Sequence, residues 1–469
     1  MNCPVVDREV CGYCGACVSV CPASAIELVD LYLRIDRSLC VGCSACERVC
    51  PLGAISMSDE SGVLHQKSSI QRPESSVHNR EYDVLVIGAG PAGSIAARTA
   101  AEQNVSVLMI EKRQEIGSPV RCAEGVGKKS LAELTELDPK WISAEINGSR
   151  IHAPNGSFIK IDELGAGLVL ERKIFDRELS AQAERAGAEI WVKSRAVDLI
   201  KENGTFTGAK IRRRDGNYVV KSKVIIAADG VESQVGRWAG IDTTCKPHDV
   251  DTCVQYLMNG IDIDPEYCDF YLGKQIAPRG YAWVFPKGTD SANVGIGIGG
   301  NIDGEIAVDY LNRFVEKEFL GASVSAMVVG CVPVAGALSS FVRDGLMIVG
   351  DAARQNDPMS GGGIINSMIA GQIAGEVAGK SIWNGNVSHR KLVEYEKRWN
   401  KQIGRTFRHL HRLREGVLKF SDETFNNIAK ILDQVDPREL TLVDIFRTAL
   451  KNDPKLLLEL RHLIRMNWG

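Results

Sequence analysis

Two runs of cysteines near the start of the chain share one spacing. Residues 11–22 read CGYCGACVSVCP and residues 40–51 read CVGCSACERVCP, so both fit the pattern C-x2-C-x2-C-x3-C-P. Thiolate sulfur binds zinc and iron–sulfur clusters, and cysteines bunched at ligand spacing favour metal binding over disulfides. The candidate chemistry is electron transfer by iron–sulfur clusters, with a pair of structural zinc sites as the alternative. Two complete runs of this form favour the clusters.

An internal duplication surrounds these runs. The segments DREVC (7–11) and DRSLC (36–40) align at an offset of 29 residues, as do ASAIEL (23–28) and LGAISM (52–57). The whole segment resembles the two-cluster ferredoxins, in which each cluster takes its fourth ligand from the other repeat. The resemblance implies two 4Fe–4S clusters, one held by Cys11, Cys14, Cys17 and Cys50 and the other by Cys40, Cys43, Cys46 and Cys21. Cys3 lies outside both runs and is predicted to be a bystander.

A glycine pattern over residues 82–113 predicts a strand, a tight turn and a helix. The apolar strand 83–87 leads into Gly88, Gly90 and Gly93, and a small-residue helix and a second strand ending in Glu111 follow. In such a unit the first glycine allows the turn, the second lets the backbone approach a pyrophosphate, and the third lets helix and strand pack closely. The acid can accept hydrogen bonds from a ribose. The pattern predicts a Rossmann-type site with the phosphates at the helix N-terminus.

Two later stretches identify the dinucleotide. Residues 224–237 predict a strand ending in Asp229, and residues 345–371 predict a strand ending in Asp351, followed by a glycine run that opens a helix. The three motifs together resemble the flavoprotein superfamily that includes p-hydroxybenzoate hydroxylase and the geranylgeranyl reductases. That resemblance implies FAD, with Asp351 on the ribityl chain. It also implies that the helix start at Gly361, Gly362, Gly363 and Ile364 points its N–H groups at the flavin ring.

Two short segments narrow the resemblance to one branch. APRGYAWVFPKG (277–288) and RCAEGV (121–126) look like stretches of the geranylgeranyl reductases, the second like their archaeal members. These enzymes saturate isoprenoid double bonds, most typically in digeranylgeranylglycerophospholipid. The predicted FAD-binding set is then Gly88, Gly90, Ala92, Gly93, Glu111, Arg121, Cys122, Ala123, Gly125, Arg172, Val197, Asp229, Asp351, Gly361, Gly362, Gly363 and Ile364.

Three residues are the predicted catalytic group. Tyr281 and Trp283, with Phe285, would line the pocket beside the flavin, and ordinary strand core is the alternative for these aromatics. Cys122 stands far from the cysteine runs and falls where the resemblance places backbone near the flavin ring. A thiol there could donate the proton that completes alkene reduction, or it could only shape the pocket. A buried spectator is the other interpretation of a lone cysteine.

The predicted fold class is α/β, with a Rossmann-type FAD-binding domain like that of p-hydroxybenzoate hydroxylase. To it are added an antiparallel-sheet substrate domain, an N-terminal ferredoxin-like α+β domain and a C-terminal helical region. The expected boundaries are 1–58 for the ferredoxin domain, 59–80 for a linker, 81–135, 169–237 and 331–380 for the FAD-binding domain, 136–168 and 238–330 for the substrate domain, and 381–469 for the helical region.

The electron supply follows from the fusion. The sequence has no second dinucleotide fingerprint, so we expect an external low-potential donor such as a ferredoxin to feed the clusters, then FAD, then the substrate alkene. A second hypothesis is an electron-transfer flavoprotein that reduces a quinone. A third, an aromatic hydroxylase, would need dioxygen beside two oxygen-sensitive clusters and is disfavoured.

Composition limits the partners. The net charge of −3 argues against a nucleic-acid binder, and no apolar run is long enough to span a bilayer. We expect a cytoplasmic protein without a secretory signal. Residues 398–419 carry seven Lys and Arg against one Glu at amphipathic spacing, which predicts either a peripheral contact with the inner face of the membrane or a solvated surface helix.

Overall fold

The computed structural model describes residues 2–29, 32–58, 77–300 and 304–432. Its strands are β1 Cys3–Val6, β2 Ile26–Val29, β3 Tyr32–Ile35, β4 Ile55–Ser58, β5 Val77–Ile87, β6 Val107–Ile110, β7 Gly125–Gly127, β8 Ile142–His152, β9 Phe158–Leu170, β10 Glu189–Trp191, β11 Arg195–Glu202, β12 Thr205–Arg212, β13 Asn217–Ala227, β14 Val250–Asn259, β15 Tyr267–Tyr271, β16 Tyr281–Pro286, β17 Ser291–Gly299, β18 Ser323–Pro333, β19 Val342–Arg343 and β20 Leu346–Ile348. Its helices are α1 Ala16–Ser19, α2 Ala45–Arg48, α3 Pro91–Ala101, α4 Lys128–Ala132, α5 Arg172–Arg185, α6 Gln234–Trp238, α7 Ala307–Glu318, α8 Ile364–Trp383, α9 His389–Leu392, α10 Glu394–Trp399, α11 Arg405–Val417 and α12 Asp422–Leu432.

The duplicated N-terminal segment forms a small α+β unit. Strand β1 pairs antiparallel with β4, and β2 pairs antiparallel with β3. Each repeat contributes one short helix, α1 or α2, which contains the third cysteine of its run, Cys17 or Cys46. The buried residues of this unit include Cys17, Cys21 and Cys46, so the cysteines themselves are part of a very small core.

A parallel sheet with a short antiparallel extension forms the nucleotide-binding fold. Its order is β10-β6-β5-β13-β12-β11, and β20 pairs with the end of β13. Strands β10, β6, β5, β13 and β20 are parallel. Helix α3 packs against α8 so closely that a Cβ on Gly371 would lie 2.2 Å from the Ala92 carbonyl oxygen. The carboxyl ends of the parallel strands therefore meet at one edge, where ligands of open α/β sheets bind.

A second sheet lies against that edge. Its order is β18-β14-β17-β16-β15-β8-β9-β7, and its strand pairs are antiparallel except for β15 with β8. The chain first enters this sheet at Gly125–Gly127, which pairs with β9. Residues 125–127 therefore belong to the second sheet, although the sequence analysis placed the first boundary after residue 135. The reason is that the chain crosses between the sheets directly after the RCAE segment.

The structure describes only part of two expected segments, the linker 59–80 and the helical region 381–469. Strand β5 begins at Val77, so residues 77–80 of the expected linker are sheet, held by parallel pairing with β13. The rest of that linker, 59–76, lies outside the described residues, as does 433–469 of the expected helical region. Among the described helices, none is both long enough and apolar enough to cross a membrane.

Candidate active site

Two adjoining cavities lie between the nucleotide-binding fold and the second sheet. The larger has a volume of about 600 Å³ and the smaller of about 270 Å³. They share wall residues, which are Gly90, Arg121, Arg172, Ala228, Gly230, Cys331 and Asp351. An elongated ligand with a polar end and a ring end could therefore run from one cavity into the other.

The smaller cavity is the polar end. Gly88, Gly90, Glu111 and Asp229 line it, as the sequence predicted. Glu111 is fixed at the end of β6 because its carboxylate accepts hydrogen bonds from the backbone N–H groups of Ala89 at 3.2 Å and Arg113 at 2.9 Å. Gly88 has φ of +107°, a conformation that favours glycine.

Gly93 and Val197 are the two predicted FAD residues that line neither cavity. A Cβ on Gly93 would lie 1.9 Å from the Gly88 carbonyl oxygen, so this glycine acts by close helix–strand packing, the role its motif assigns. The FAD contact predicted for Val197 stays a prediction, since this residue follows directly on residues that line the smaller cavity. Ser194, Arg195 and Ala196 line the smaller cavity, and a register irregularity between Ala196 and Asp198 leaves Val197 out of the strand pairing.

The polar walls fit a hydroxyl-rich ligand. Within the described part of the chain, the buried oxygens Asp229 Oδ1 and Asn356 Oδ1 have no hydrogen-bond partner. Burial raises the pKa of Asp229 to about 6 and also raises that of Asp351. An unpartnered buried acceptor is costly, and the ribose and ribityl hydroxyls of FAD would supply the missing donors. A Cβ on Gly90 would meet no protein atom within 4 Å, so backbone there is open to a phosphate.

The larger cavity is the ring end. The start of α8, at Gly361, Gly362, Gly363 and Ile364, faces it, and Ala92, Cys122, Ala123, Gly125 and Arg172 complete the predicted set around it. An N-terminus of a 20-residue helix favours negative charge. The geometry thus fits a flavin ring whose reduced, anionic form is stabilised by this helix.

Cys122 lies in the wall of the larger cavity. Its Sγ accepts a hydrogen bond from the Glu124 N–H at 3.2 Å, and the positive charge of the Arg172 guanidinium acts on the thiol. Burial raises the thiol pKa above its ordinary 9.0, and the Arg172 guanidinium opposes that shift. The thiol therefore carries its proton at neutral pH.

The predicted aromatic residues form the opposite wall. Tyr281, Trp283 and Phe285 all line the larger cavity, because alternate residues of β16 share one face. The Tyr281 and Trp283 rings meet edge to face at 5.9 Å between centroids. The Tyr281 hydroxyl donates to the carbonyl of Ser360, next to the start of α8. Burial raises the Tyr281 pKa, so this hydroxyl is protonated.

A buried polar network, which the sequence did not predict, holds the two walls together. Glu124, 4% exposed, accepts at Oε2 from Lys287 Nζ at 2.8 Å and from Asn293 Nδ2 at 2.7 Å. Its Oε1 accepts from the Arg172 N–H at 2.9 Å. The only signal in the sequence was a glutamate inside the RCAEGV segment, and nothing there indicated which partners it would meet.

Gln255 is a second residue that the sequence missed. It accepts from Trp283 Nε1 at 2.9 Å and donates to the Cys122 carbonyl at 3.3 Å. It lies on β14, which gives no motif. The glutamine joins the aromatic wall to the Cys122 segment.

The first set of predicted cluster ligands surrounds one small cavity. Cys11, Cys14, Cys17 and Cys50 line it together, which is the set the ferredoxin resemblance implied. Among the described residues, no three His, Cys, Asp or Glu side chains converge as ligands of a single metal ion. The four cysteines around this cavity fit a 4Fe–4S cluster, which takes four cysteine ligands.

The second set also gathers in one place. Burial raises the pKa of the Cys46 thiol to about 12, and the nearby Cys21 and Cys43 act in the same direction. Cys40 packs against the buried group that includes Cys21 and Cys46. Cys3 is not isolated, since a hydrogen bond joins its side chain to that of Cys40.

Family models match three parts of the chain. A 4Fe-4S dicluster domain matches residues 10–54, an FAD binding domain matches residues 83–134, and a geranylgeranyl reductase catalytic domain matches residues 249–332. The first match decides between iron–sulfur clusters and the zinc alternative. The protein therefore uses FAD and 4Fe–4S clusters.

Curated relatives match most of the chain. The digeranylgeranylglycerophospholipid reductase of Methanosarcina acetivorans is 52% identical over 392 residues, 82% of this chain and 96% of that protein. Digeranylgeranylglycerophospholipid reductase 2 of Methanococcoides burtonii is 50% identical over 389 residues, with 82% and 96% covered. Both are matched along nearly their whole length, so this chain carries a segment that they lack.

Solved structures agree on the fold. A geranylgeranyl bacteriochlorophyll reductase-like protein from Thermoplasma acidophilum superposes with a TM-score of 0.78 at 40% identity, covering 82% of this chain and all of that one. A p-nitrophenol 4-monooxygenase from Pseudomonas putida, at 18% identity, shares the fold alone, with a TM-score of 0.60 over 81% of this chain and 98% of its own. The predicted fold class is confirmed. With these matches along most of its length, the chain belongs to the family of the digeranylgeranylglycerophospholipid reductases, to which it adds a 4Fe–4S dicluster domain.

Proposed function

We propose that the protein saturates isoprenoid C=C bonds of geranylgeranyl lipids, with digeranylgeranylglycerophospholipid as the substrate. The observation that carries the proposal is the larger cavity, where Cys122, Tyr281 and Trp283 face the helix start at Gly361–Ile364. Apolar side chains such as Ile146, Leu168 and Phe270 line the rest of it. A polyprenyl chain suits such a cavity because its burial is favourable along its whole length.

The residues of this chain position the alkene and exclude water. The aromatic wall of Tyr281, Trp283 and Phe285 would hold the chain against the ring end, and its rigidity comes from β16 and from the bond between Trp283 and Gln255. When bound, FAD supplies a hydride to one alkene carbon. An unactivated alkene accepts hydride poorly, so exact placement and a nearby proton are needed.

Cys122 is our candidate for the proton donor. Its pKa lies above 9.0, so the thiol is loaded with a proton at neutral pH, and it lies in the same wall as Gly125 and Ala123. The proton would go from Sγ to the second alkene carbon. The thiolate would then be stabilised by the Glu124 N–H, which donates to the sulfur, and by the positive charge of the Arg172 guanidinium.

Substrate identity is tested by anaerobic turnover with a reduced ferredoxin. Geranylgeranyl lipid and a short-chain quinone are offered separately, and the products are analysed by mass spectrometry. We expect the lipid to gain two hydrogens per saturated bond and the quinone to be reduced slowly. Rapid quinone reduction with unchanged lipid would instead identify an electron-transfer flavoprotein.

We also propose that α11 contacts the membrane from which the lipid is drawn. Arg405, Arg408 and Arg412 are exposed on this helix, whereas Arg414 is buried and pairs with Asp251 at 2.7 Å. Exposed basic residues favour anionic headgroups by about 1 kcal/mol each. Charge reversal of the three exposed arginines should reduce flotation with anionic liposomes, and flotation equal to that of the wild type would contradict this contact.

A further inference from the structure

The cysteine loop 11–17, which we name the proximal loop, borders the FAD site. Cys14 lines the smaller cavity together with Glu111 and Asp229. Arg121, which lines both cavities, donates from Nη1 to the Cys14 carbonyl at 3.0 Å and from Nη2 to the Tyr13 carbonyl. The Arg121 side chain, which lines both cavities, thus holds the backbone of this loop in place.

A buried seam fixes the dicluster domain on the rest of the protein. Four buried residues in or next to α1 and α2 pack against three buried residues from the rest of the protein. The four are Ala16, Val20, Ala45 and Val49, and the three are Cys245, Val250 of β14 and Cys331 of β18. The Cys245 N–H donates to the Ser19 carbonyl across the seam at 3.0 Å. Apolar burial of this kind resembles a permanent interface, so the proximal loop keeps its place beside the cavity.

The loop 39–44, which we name the distal loop, precedes α2 and contributes no residue to this seam. Cys43 is exposed. Two large apolar side chains of the same loop are also exposed, Leu39 by 51% and Val41 by 59%. A cluster ligand open to solvent between exposed apolar side chains is accessible to an external redox protein, and transient electron-transfer contacts are small.

We propose that the two clusters have a fixed order: electrons enter at the distal loop and leave through the proximal loop, which Arg121 holds against the FAD site. The donor is a low-potential one-electron carrier protein that contacts Leu39 and Val41. Each encounter would oxidise the carrier by one electron, and the cysteines of the distal loop and then of the proximal loop would hold the clusters that relay this electron toward FAD. Two such transfers supply the two electrons that one double bond requires. Arg121 is a positioning residue in this path.

The entry point is tested with a matched pair of substitutions in the full-length holoenzyme. Val41→Glu and Val10→Glu each place one carboxylate next to a cluster ligand, Cys40 or Cys11, and Val10 is itself 42% exposed. Reduced two-cluster ferredoxin is mixed anaerobically with each variant without lipid, and cluster bleaching is followed by stopped-flow absorbance. We expect Val41→Glu to slow second-order bleaching about tenfold, because a charge at a docking surface acts on the association rate. Val10→Glu should leave it unchanged, and equal slowing in both variants would overturn the order.

The exit is tested with Arg121→Gln and Arg121→Lys under the same conditions. Cluster bleaching should keep its wild-type rate, while flavin bleaching should slow about tenfold in Arg121→Gln, since misplacement of a positioned group costs that much or more. Arg121→Lys, which keeps one donor, should be intermediate. Rates are taken per bound FAD and iron, so a variant that loses a cofactor is still scored on its loaded fraction. Unchanged flavin bleaching in both variants would overturn the role of Arg121. No lipid is present, so the outcome is independent of the proposed substrate.

Discussion

The larger cavity has two walls that are built in different ways. The nucleotide wall is mostly backbone, with Gly90 and the glycines before α8 lining the cavity. The sheet wall consists of side chains, with Trp283 and Phe285 projecting from β16. A backbone wall needs glycine at fixed chain positions, whereas a side-chain wall depends on partners far apart in the sequence.

The two walls therefore fail in different ways when changed. A side chain added behind the nucleotide wall, where Gly93 packs on the turn at Gly88, collides with backbone. A side chain altered in the sheet wall releases a polar partner, as with Glu124, whose oxygens meet residues from α5, β17 and the segment after β16. We expect the first kind of change to abolish the flavoprotein and the second to weaken it by degrees.

The largest effect is expected for Gly93→Ala. The new Cβ would lie 1.9 Å from the Gly88 carbonyl oxygen, so α3 must move away from β5, and overpacking of this severity exceeds the usual cost of about 3 kcal/mol. FAD content and the melting temperature of the purified protein are the measurements. Gly90→Ala is the control, because its Cβ meets no protein atom, so that variant should fold and lose only FAD affinity. A folded, FAD-loaded Gly93→Ala protein would refute the packing role.

The next effect is expected for Glu124→Ala in the sheet wall. It leaves the Lys287 ammonium, whose side chain is 9% exposed, with the half-exposed Glu171 as its one charged partner among the residues that the structure describes. Removing one member of a buried pair costs about 3 kcal/mol, measured by chemical denaturation. The exposed pair Lys128–Glu145 gives the matched control Glu145→Ala, for which a cost below about 1 kcal/mol is expected. Similar costs for the two variants would show that burial of Glu124 is unimportant.

Cys122→Ala should lower lipid reduction about a hundredfold, since a general acid contributes at least that much. FAD and cluster absorbance should be unchanged. Cys268→Ala is the control, because Cys268 is a buried cysteine in the wall of the same cavity. In the wild type the raised thiol pKa keeps turnover level at neutral pH, and turnover should fall only in more alkaline solution than an unburied thiol would require, because burial raises the pKa of Cys122. Full turnover in Cys122→Ala would make this thiol a wall residue only.

The smallest effect is expected for Trp283→Phe. It removes the 2.9 Å bond from Nε1 to Gln255 but keeps an aromatic ring in the wall, so it should cost about 1 kcal/mol of stability. Thermal melting of the holoenzyme measures it. A much larger loss of stability would mean that the Trp283–Gln255 bond is needed to keep Gln255 bonded to the Cys122 carbonyl.

This contrast explains what the sequence predicted and what it could not. The glycines of the nucleotide wall and the cysteine runs have fixed local spacing, so the fold class, the cofactors and the first cluster set could be inferred from motifs. At Val197 the sequence pattern does not show which residues face the cavity, because a strand irregularity between Ala196 and Asp198 interrupts the regular alternation of side chains. Glu124 and Gln255 were missed because their partners lie 163 and 28 residues away, and single-sequence patterns do not report such distant pairs.

We expect electrons from a low-potential carrier to saturate an isoprenoid double bond in the larger cavity. The stoichiometry of anaerobic turnover tests this directly, with carrier oxidation followed by absorbance and the lipid product by mass spectrometry. We predict two one-electron equivalents consumed for each gain of two hydrogens by the geranylgeranyl chain. Carrier oxidation without any gain of hydrogen by the lipid would contradict this coupling.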